Sequence, residues 1–594
     1  MANNGDVVSE DVERGVAALC RHLGEEGSHL LRRCEPKGDE LASFDFPLPP
    51  DYLGVSRTLR ISFNNNFPTS GLVFKISPSA WLKWPHVMKD WLCLYGAGNA
   101  PVIGTAEQVV ADKFARLTAL LQLVLPAEAK GKRDAEFNRE ISTYWDQQID
   151  QAYRTWQQLI LLGLPSNARP LYTVSDQRKR IGNVDERIWV GEDAKELFKH
   201  IAKISGASDS VKAPAKAAFF APLLSIPGVE LPKAENLIAW LAPHLQAADA
   251  RSLTKWESDS ANFPVRWILV RLPDTEPPLV KAFVLRSTAM KKNGHFNYGR
   301  RAGRTYGRSK TRSGPIVLQA ANLHLITPTT LHSRDKNTDQ TQLKQKQVVL
   351  IGAGTLGAMV ATQLARTGIT KMTVIDPDEL EVANIGRHVL GADDLGRFKV
   401  YALKERIERD LPFVNVQAIS NYLHLALKDK PTLLDEVDLV IITTADWWSE
   451  QYLWHLKANA NWSLVHGWAE PHALVGHVLT AQTGQTGDGR QLFDVNGHFK
   501  HRFTDWPHNG VEPLPGCGAS FIPGGPISIA AIATMISDAA ISTLTRNPTQ
   551  PFWFTYVSNP ERVTEAGGTY LAEPLPPNCG NLVIKRPWPE EVAQ

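Results

Sequence analysis

The sequence contains little cysteine, and its few cysteines do not form the pairs that bind zinc or build a disulfide framework. They are five among 594 residues: Cys20, Cys34, Cys93, Cys517 and Cys579. Structural zinc usually takes cysteines in CxxC pairs, and disulfide frameworks belong mainly to small secreted domains. We therefore predict neither structural zinc nor disulfides. Each cysteine can be either a buried apolar residue or a nucleophile.

The chain also lacks a charge bias and a targeting segment. Lys and Arg number 64 against 62 Asp and Glu, a formal net charge of +2, so composition favours neither nucleic acid nor a membrane as a partner. The first residues, Met1 to Asp6, are polar and lack the features of a secretory signal. The apolar stretch Ile527 to Leu544 is interrupted by serines and an aspartate, which is typical of a buried helix. We expect a cytoplasmic protein.

The length predicts about three domains, and the pattern along the chain suggests where they divide. Residues 1–163 combine strand-like runs with helical patterns that continue to Leu162, which predicts an α+β domain. A Pro-containing stretch, 164–170, is predicted to be a linker. Residues 171–335 predict a middle α/β domain of unknown role, and residues 336–594 form a third domain. The predicted fold class is therefore α/β and multidomain.

One segment of the middle domain is strongly basic. Residues 291–312 contain eight Lys or Arg, no acidic residue, and interleaved Phe296, Tyr298 and Tyr306. Such a segment suits nucleic acid or an acidic protein partner, but its glycines and serines are typical of a solvated flexible loop. We favour the loop, because the whole chain is close to neutral.

A glycine-rich turn between a strand and a helix predicts a nucleotide site. The predicted strand 348–351 is followed by Gly352, Gly354 and Gly357 in GxGxxG spacing, then by a helix over 355–367 and a strand over 371–375. Glycines let the backbone approach phosphate, and the helix N-terminus favours negative charge. Asp376 ends the second strand, where a carboxylate can accept ribose hydroxyls. By itself this pattern also fits an NAD-dependent oxidoreductase.

The residues after Asp376 resemble those of ThiF-like adenylating enzymes. The segment DPDELEVANIGRH, from Asp376 to His388, and the GRFK segment ending at Lys399 are similar to that family's D-x-D…N-x-x-R-Q…G-x-x-K array. The resemblance implies that Asp376 holds the ribose and that Asn384 and Arg387 hold triphosphate oxygens. It also implies that Lys399 stabilises charge as pyrophosphate leaves, in a Rossmann-like adenylation domain. His388 stands where many relatives have Gln.

Asp446 resembles the family's magnesium-binding aspartate. It follows a predicted buried strand over 438–443, and Mg²⁺ commonly takes one or two carboxylates together with phosphate oxygens. The implied ligands are ATP and Mg²⁺. Alternatively, Asp446 is the N-cap of a helix that begins near Trp447.

Two cysteines have sequence surroundings that suit a nucleophile. Cys517 lies between two glycines, in PGCGA, and resembles the family's catalytic-cysteine loop; the alternative is a small buried residue at a turn. Cys579, in PPNCG, is a second candidate nucleophile.

Cys93 lies in a context that resembles ubiquitin-conjugating enzymes. An F-P pair ending at Pro68 and a W-P-H turn ending at His86 precede Leu-Cys93-Leu, and His86 replaces the usual Asn. The segment from Glu136 to Trp145 is similar to an E-F…E…Y-W segment of bacterial conjugating domains that are fused to adenylating domains. The alternative is a core cysteine between two leucines.

Together the resemblances point to a bacterial fusion of a ubiquitin-conjugating-like domain with a ubiquitin-activating-like domain, of the kind found in CBASS antiphage operons. Such an enzyme adenylates a protein's C-terminal carboxylate, captures it on Cys517, passes it to Cys93 and joins it to an amine. The implied partners are a cGAS/DncV-like nucleotidyltransferase and a second copy of the chain, bound through the adenylation domain. The alternatives are a stand-alone adenylyltransferase for a sulfur carrier or peptide, a non-catalytic nucleotide-binding regulator, and the oxidoreductase.

Overall fold

The chain folds into three units built on three different sheets. The computed structural model describes residues 10–95, 104–149, 158–180, 183–205, 214–287, 315–335, 340–485, 487–513, 520–546, 550–576 and 579–588. The first unit contains a six-stranded sheet, the second a closed seven-stranded barrel, and the third an eight-stranded sheet. The basic segment 291–312 and Cys517 lie outside the described residues.

The first unit is an antiparallel sheet covered by helices. Its strands are β1 (Arg32–Cys34), β2 (Glu40–Pro47), β3 (Thr58–Asn64), β4 (Val73–Ser77), β5 (Val87–Met88) and β6 (Trp91–Leu92), in the order β1-β2-β3-β4-β6-β5. Its helices are α1 (Glu10–Leu30), α2 (Ala106–Val124), α3 (Lys130–Arg139) and α4 (Ile141–Gln148). Alternate residues of β3, Leu59, Ile61 and Phe63, are fully buried, as expected for a strand with one face against helices. The predicted α+β character of this region is confirmed.

The second unit is a closed barrel, which the sequence did not predict. Its strands are β7 (Gln158–Leu162), β8 (Arg169–Arg180), β9 (Asn183–Gly191), β10 (Ala215–Pro222), β11 (Val265–Arg271), β12 (Val280–Ser287) and β13 (Ile316–Ile326), closed in the order β10-β11-β12-β13-β7-β9-β8. Outside the barrel lie α5 (Ala194–Ser205), α6 (Leu237–Leu241) and α7 (Ala247–Asp259).

The boundary between the first two units differs from the prediction. Residues 158–162, predicted to continue a helix, form β7, which pairs in parallel with β13 and β9. The reason is burial on both faces, since Leu159 and Leu161 pack into the barrel core while Ile160 packs under α5. The first unit therefore ends before residue 158 and not at 163. The predicted linker 164–170 connects two barrel strands and includes the start of β8.

A tryptophan fixes the first unit on the barrel. Trp145, in α4, is fully buried among residues of the second unit, and its indole Nε1 donates to the carbonyl of Gly228 at 2.9 Å. Lys83 forms an exposed ion pair with Glu230 at 2.9 Å. Because the indole is buried, the first unit and the barrel share a packed apolar contact and not only surface interactions.

The third unit is a mixed sheet with helices on both faces. Its strands are β14 (Gln347–Ile351), β15 (Lys371–Ile375), β16 (Asn415–Ile419), β17 (Leu439–Ile442), β18 (Ser463–Ala469), β19 (Val475–Ala481), β20 (Thr504–Asp505), β21 (Glu512–Pro513), β22 (Ser520–Phe521), β23 (Phe552–Val557), β24 (Thr569–Tyr570) and β25 (Leu582–Pro587). The short helix α8 (Pro328–Leu331) precedes this unit. The helices of the unit are α9 (Gln340–Leu343), α10 (Thr355–Thr367), α11 (Val382–Ile385), α12 (Lys399–Asp410), α13 (Leu423–Asp429), α14 (Trp447–Lys457), α15 (Pro526–Thr545) and α16 (Pro560–Glu565).

The sheet order is β16-β15-β14-β17-β18-β19-β23-β25. The strands from β16 to β18 are parallel, and β19, β23 and β25 add antiparallel strands. The predicted β14-α10-β15 unit is confirmed. The chain passes from β14 to β15 and β16 on one side and returns to β17 on the other, and ligands of open α/β sheets bind at such a switch point.

Helix α15 is apolar enough to be a candidate membrane span by length and composition. It packs instead against α10 and strands β18 and β19, and Ile532 and Ile536 are fully buried there. The predicted buried helix is therefore found in the core of the third unit.

Candidate active site

The glycine-rich turn lies at the carboxyl end of β14, where close packing requires two of its glycines. Gly352 has φ +94°, and a Cβ on Gly357 would lie 1.9 Å from the Gly352 carbonyl oxygen. Gly354, the N-cap of α10, has nothing within 4 Å of a built Cβ. The turn is therefore closed on the protein side and open on the other, where backbone N–H groups at the start of α10 can meet an anion.

Asp376 fastens this turn to the end of β15. Its side chain is buried; Oδ2 accepts the Ala353 N–H at 2.6 Å and Oδ1 accepts the Asp378 N–H at 2.8 Å. Burial raises the pKa of Asp376, while these hydrogen bonds and Lys399 oppose the rise. Each oxygen keeps a second lone pair that can accept a ligand hydroxyl.

His388 holds the other side of the same turn. Its Nδ1 accepts the Leu390 N–H at 3.1 Å, so Nε2 carries the proton and donates to the Ala353 carbonyl at 2.9 Å. Burial lowers the pKa of His388, which favours this neutral form. The residue whose role the sequence left open thus joins the segment after Asp376 to the glycine-rich turn.

Lys399, Asn384 and Arg387 lie beside the cleft rather than in its lining. Lys399, the first residue of α12, is buried and its Nζ pairs with the exposed carboxylate of Asp378 at 2.9 Å. The Asn384 Oδ1 accepts the Glu381 N–H at 3.1 Å. Asp378 lines the cleft, so Lys399 is connected to the cleft through its ion pair with Asp378.

Arg387 has an unsatisfied donor. Its Nη1 donates to the Ile522 carbonyl at 3.4 Å, but its buried Nε has no hydrogen-bond partner among the described residues. A buried donor without an acceptor costs about 1–3 kcal/mol. Because this donor is buried and Arg387 does not line the cleft, its triphosphate contact stays a prediction.

Asp446 is the N-cap of α14, which was the alternative to a magnesium ligand. Its carboxylate accepts the N–H groups of Trp448 and Ser449, both at 3.3 Å, and the Ser449 hydroxyl at 2.5 Å. It also lines the cleft. In the described part of the chain, no group of three or more His, Cys, Asp or Glu is placed to hold a metal. A cation here would therefore take most of its ligands from phosphate and water, as Mg²⁺ commonly does.

The cleft formed by these elements has a volume of about 740 Å³. Beyond the glycine-rich turn and the aspartates, it is lined by aromatic residues and buried acids that sequence reasoning missed: Trp447, Trp468, Phe493, Phe499, Glu450 and Glu470. These residues come from separate strands, loops and helix α14 and share no motif. The cleft combines an anion-binding edge with an apolar wall.

Glu470 anchors that wall. Its carboxylate accepts the N–H groups of Phe503 and Thr504 at 2.8 Å and contacts Nε2 of the fully buried His477 at 2.8 Å. Burial raises the pKa of Glu470, but these hydrogen bonds outweigh it and leave the pKa below its usual value. Glu470 is therefore ionised and held within a rigid network at the edge of the cleft.

Comparison with known proteins identifies this unit. Residues 330–566 match the ThiF family. The C-terminal half of the chain contains a ThiF-family domain. The family predicted from the residues between Asp376 and Lys399 is thereby confirmed for this domain.

Curated relatives align over limited regions. They include the uncharacterized protein y4qC of Sinorhizobium fredii, 30% identical over 205 residues, which are 30% of this chain and 34% of the relative. The ATP-dependent ubiquitin transferase-like protein Cap2 of Enterobacter hormaechei is 31% identical over 113 residues, 19% of each chain. A sulfur carrier protein adenylyltransferase of Thermus thermophilus is 33% identical over 103 residues, 17% of this chain and 37% of the relative.

The chain thus spans about a third or less of y4qC and Cap2. Among solved structures, Escherichia coli MccB with succinimide aligns at a TM-score of 0.29 and 17% identity, covering 36% of this chain and 62% of MccB. That similarity is too low to support an argument.

The ThiF domain also positions the chain on both sides of Cys517. Strands β21 and β22 pair antiparallel, with Glu512 opposite Phe521, so residues 514–519, which contain Cys517 and lie outside the described residues, connect these two strands. Val511 and Ile522, at the outer ends of the pair, line the cleft. Cys579 is half-buried and does not line the cleft.

Cys93 lies at the end of β6, and the structure brings its two predicted motif segments together. The Cys93 N–H donates to the His86 carbonyl at 2.8 Å, and the His86 N–H donates to the Tyr144 hydroxyl at 2.8 Å. The His86 ring contacts the carboxylates of Glu136 and Glu140, each at 3.4 Å. Both ring nitrogens of His86 thus face carboxylates.

Proposed function

We propose that the chain is an ATP-dependent enzyme that activates the C-terminal carboxylate of a protein by adenylation, captures it as a thioester and conjugates it to an amine. The observation that carries the adenylation step is the edge of the ThiF-domain cleft. There the start of α10 is open to an anion, Arg387 has an unsatisfied buried donor, and the Lys399 ammonium is held by Asp378.

ATP fits this edge as the second substrate. The open side of Gly354 and the α10 N-terminus suit phosphate oxygens, and Asp376 has lone pairs for ribose hydroxyls. Asp446 would hold Mg²⁺, which neutralises phosphate charge when bound. The match of residues 330–566 to the ThiF family supports this choice over the oxidoreductase alternative.

Adenylation creates charge that these residues can stabilise. An oxygen of the substrate carboxylate bonds to the α-phosphorus while the bond from that phosphorus to the bridging oxygen breaks, and pyrophosphate leaves. Negative charge grows on the phosphoryl oxygens during this step. The Lys399 ammonium and the Arg387 guanidinium, fixed before the reaction, lower its barrier.

The acyl group then moves through two thioesters. The Cys517 thiolate attacks the acyl carbon and AMP leaves; the Cys93 thiolate attacks the new thioester and the Cys517 sulfur leaves. An amine finally attacks the Cys93 thioester, forms an amide and releases the Cys93 sulfur. Thioesters keep the acyl group activated throughout.

A ubiquitin-conjugating-like role for the first unit is part of this proposal. It is supported by the contacts that join the Cys93 segment to His86, Glu140 and Tyr144, and by similarity to a relative named as an ATP-dependent ubiquitin transferase-like protein. We further propose that the acylated protein is a cGAS/DncV-like nucleotidyltransferase in antiviral defence, as the resemblance of the sequence motifs implies. The enzyme is proposed to be cytoplasmic and homodimeric through the ThiF domain.

The experiment combines the purified full chain, ATP, Mg²⁺ and the candidate nucleotidyltransferase, followed by gels with and without reductant. We expect reductant-sensitive adducts that disappear in Cys517→Ala. In Cys93→Ala, the adduct on Cys517 should remain while the final conjugate disappears. Conjugation that continues in Cys93→Ala would contradict the relay and favour a stand-alone adenylyltransferase, and the absence of any nucleotide turnover would favour a regulatory protein.

A further inference from the structure

A lysine is buried beside Cys93 without a partner for its charge. Lys113, in α2, is 5% exposed and has no hydrogen bond or ion pair to any described residue. Its Nζ lies 4.5 Å from the centre of the Tyr95 ring and 5.5 Å from that of Phe74. Buried lysines are rare and are normally paired, because desolvating an ammonium is costly. Stacking on two rings offsets only part of that cost.

The same tyrosine contacts both Lys113 and Cys93. The Cys93 Sγ lies 3.8 Å from the Tyr95 carbonyl oxygen, and the charges of Cys93 and Asp112 oppose the lowering of the Lys113 pKa by burial. Cys93 is partly exposed, so reagents can reach it.

The other charged groups near Lys113 already have partners. Asp112 accepts the Arg116 Nε–H at 3.0 Å and the Tyr95 hydroxyl at 3.3 Å. Across from α2, the groups that face Lys113 are Cys93 and Tyr95. Burial, first of all, lowers the pKa of Lys113 to about 8, so the ammonium is still the main form at neutral pH. Cys93 is also faced by Tyr144, whose pKa is raised by burial and which stays neutral.

We propose that Lys113 is the counter-ion of the Cys93 thiolate and acts as a positioning residue that increases the reactivity of this sulfur. The role in the relay rests on the proposed function. In the transfer step, Cys93 loses its proton to solvent, its sulfur bonds to the acyl carbon, and the Cys517 sulfur leaves and takes up a proton. In the final step, the same ammonium stabilises Cys93 as a leaving group. One buried charge thus serves both the loading and the unloading of the thiol.

The test measures alkylation of Cys93 by iodoacetamide in the full chain without ATP. The modified peptide is quantified by mass spectrometry between pH 5.5 and 9.5, with Cys34 as an internal reference. The variants are Lys113→Met and Lys113→Gln, which remove the charge, and Lys113→Arg, which keeps it. The matched control is Lys89→Met, since Lys89 is an exposed lysine in the turn before Cys93.

We expect alkylation at pH 7 to fall about tenfold in the two uncharged variants, and the pH of half-maximal rate to rise by about one unit. Lys113→Arg and Lys89→Met should follow the parent protein. Unchanged pH profiles in a folded Lys113→Met or Lys113→Gln protein would overturn the inference. So would an amide formed on Lys113 itself during turnover, because an acylated amine carries no charge.

The relay gel separates this inference from the proposed function. If ATP-dependent adducts form on Cys93 but the pH profile of Cys93 alkylation does not depend on Lys113, the counter-ion inference is wrong and the relay proposal stands. If the pH profile of Cys93 alkylation depends on Lys113 but no ATP-dependent adducts form, the counter-ion inference is supported and the relay proposal is contradicted.

Discussion

Asp376 and His388 hold the two ends of one residue, Ala353, in the middle of the glycine-rich turn. Asp376 accepts its N–H at 2.6 Å, and His388 donates to its carbonyl at 2.9 Å. Ala353 is fully buried, so neither backbone group has water as a substitute partner. The conformation of the turn is therefore fixed before any ligand arrives, which reduces the ordering cost of binding.

We expect His388→Leu to weaken ATP binding more than His388→Gln does. Leucine leaves the buried Ala353 carbonyl without a donor, at a cost of about 1–3 kcal/mol, whereas a glutamine amide can still donate to it. Titration calorimetry with ATP and thermal unfolding measure the two effects. Equal behaviour of the two variants would show that the hydrogen bond to Ala353 does not matter.

Two substitutions of Asp446 separate its cap from its proposed metal role. Asparagine caps helices as well as aspartate does, so Asp446→Asn should keep the stability of the domain, while Asp446→Ala should lose about 1 kcal/mol. Both should lose ATP/pyrophosphate exchange, because neither supplies a carboxylate for Mg²⁺. Exchange that persists in Asp446→Asn would assign the residue to the helix cap alone.

Two glycines of the turn should respond in opposite ways to alanine. Gly357→Ala places a Cβ 1.9 Å from a backbone carbonyl, so we expect a loss of about 3 kcal/mol or more, or misfolding. At Gly354 the built Cβ meets nothing within 4 Å, and Gly354→Ala should fold normally but bind ATP more weakly because the methyl group enters the cleft. Thermal unfolding and ATP titration of both variants check this contrast.

Nucleotide preference tests the choice between adenylation and hydride transfer. At 100 times the dissociation constant, a ligand that binds only the folded state stabilises it by about 2.7 kcal/mol. ATP with Mg²⁺ should therefore raise the melting temperature by about 5 °C or more, and NAD should not. A shift with NAD alone would contradict the adenylation proposal.

His200 predicts acid sensitivity of the barrel unit. Burial, with Lys203 nearby, lowers its pKa to about 4. Its folded pKa lies below the unfolded value, so this contribution to stability is complete above about pH 6.5 and decreases as the pH falls towards 4. The expected loss is about 2 kcal/mol at pH 5. Denaturant unfolding at pH 7.5 and 5.0 should show a loss in the parent protein and in the exposed-residue control His455→Gln that is larger, by about 2 kcal/mol, than the loss in His200→Phe.

The nucleotide-binding half of the fold could be predicted because its signals are local. Strand β14, the glycines and helix α10 follow one another within a short segment, and Gly352 and Gly357 lie in the close-packed turn between them. The barrel could not be predicted in this way. Its closure depends on β7 pairing with β13, far apart along the chain, and a short apolar run such as 158–162 fits a helix or a buried strand equally well.

The candidate site was predictable only in part for a similar reason. Lys399 and Arg387 were found through a motif. Their contacts with Asp378 and with the Ile522 carbonyl, respectively, form only in the folded structure. Glu470 and His477 have no motif at all, and Lys113 lies on a helix whose pattern indicated only an amphipathic face.

The barrel is attached to its two neighbours with very different strength. Separating the first unit would expose Trp145, at a cost of several kcal/mol. Towards the ThiF domain, α5 contacts α12 through a partly exposed ion pair between Lys203 and Glu408, which is cheap to break. A rotation that brings Cys93 towards the cleft would therefore move the first unit and the barrel as one arm, with its joint at the α5–α12 contact.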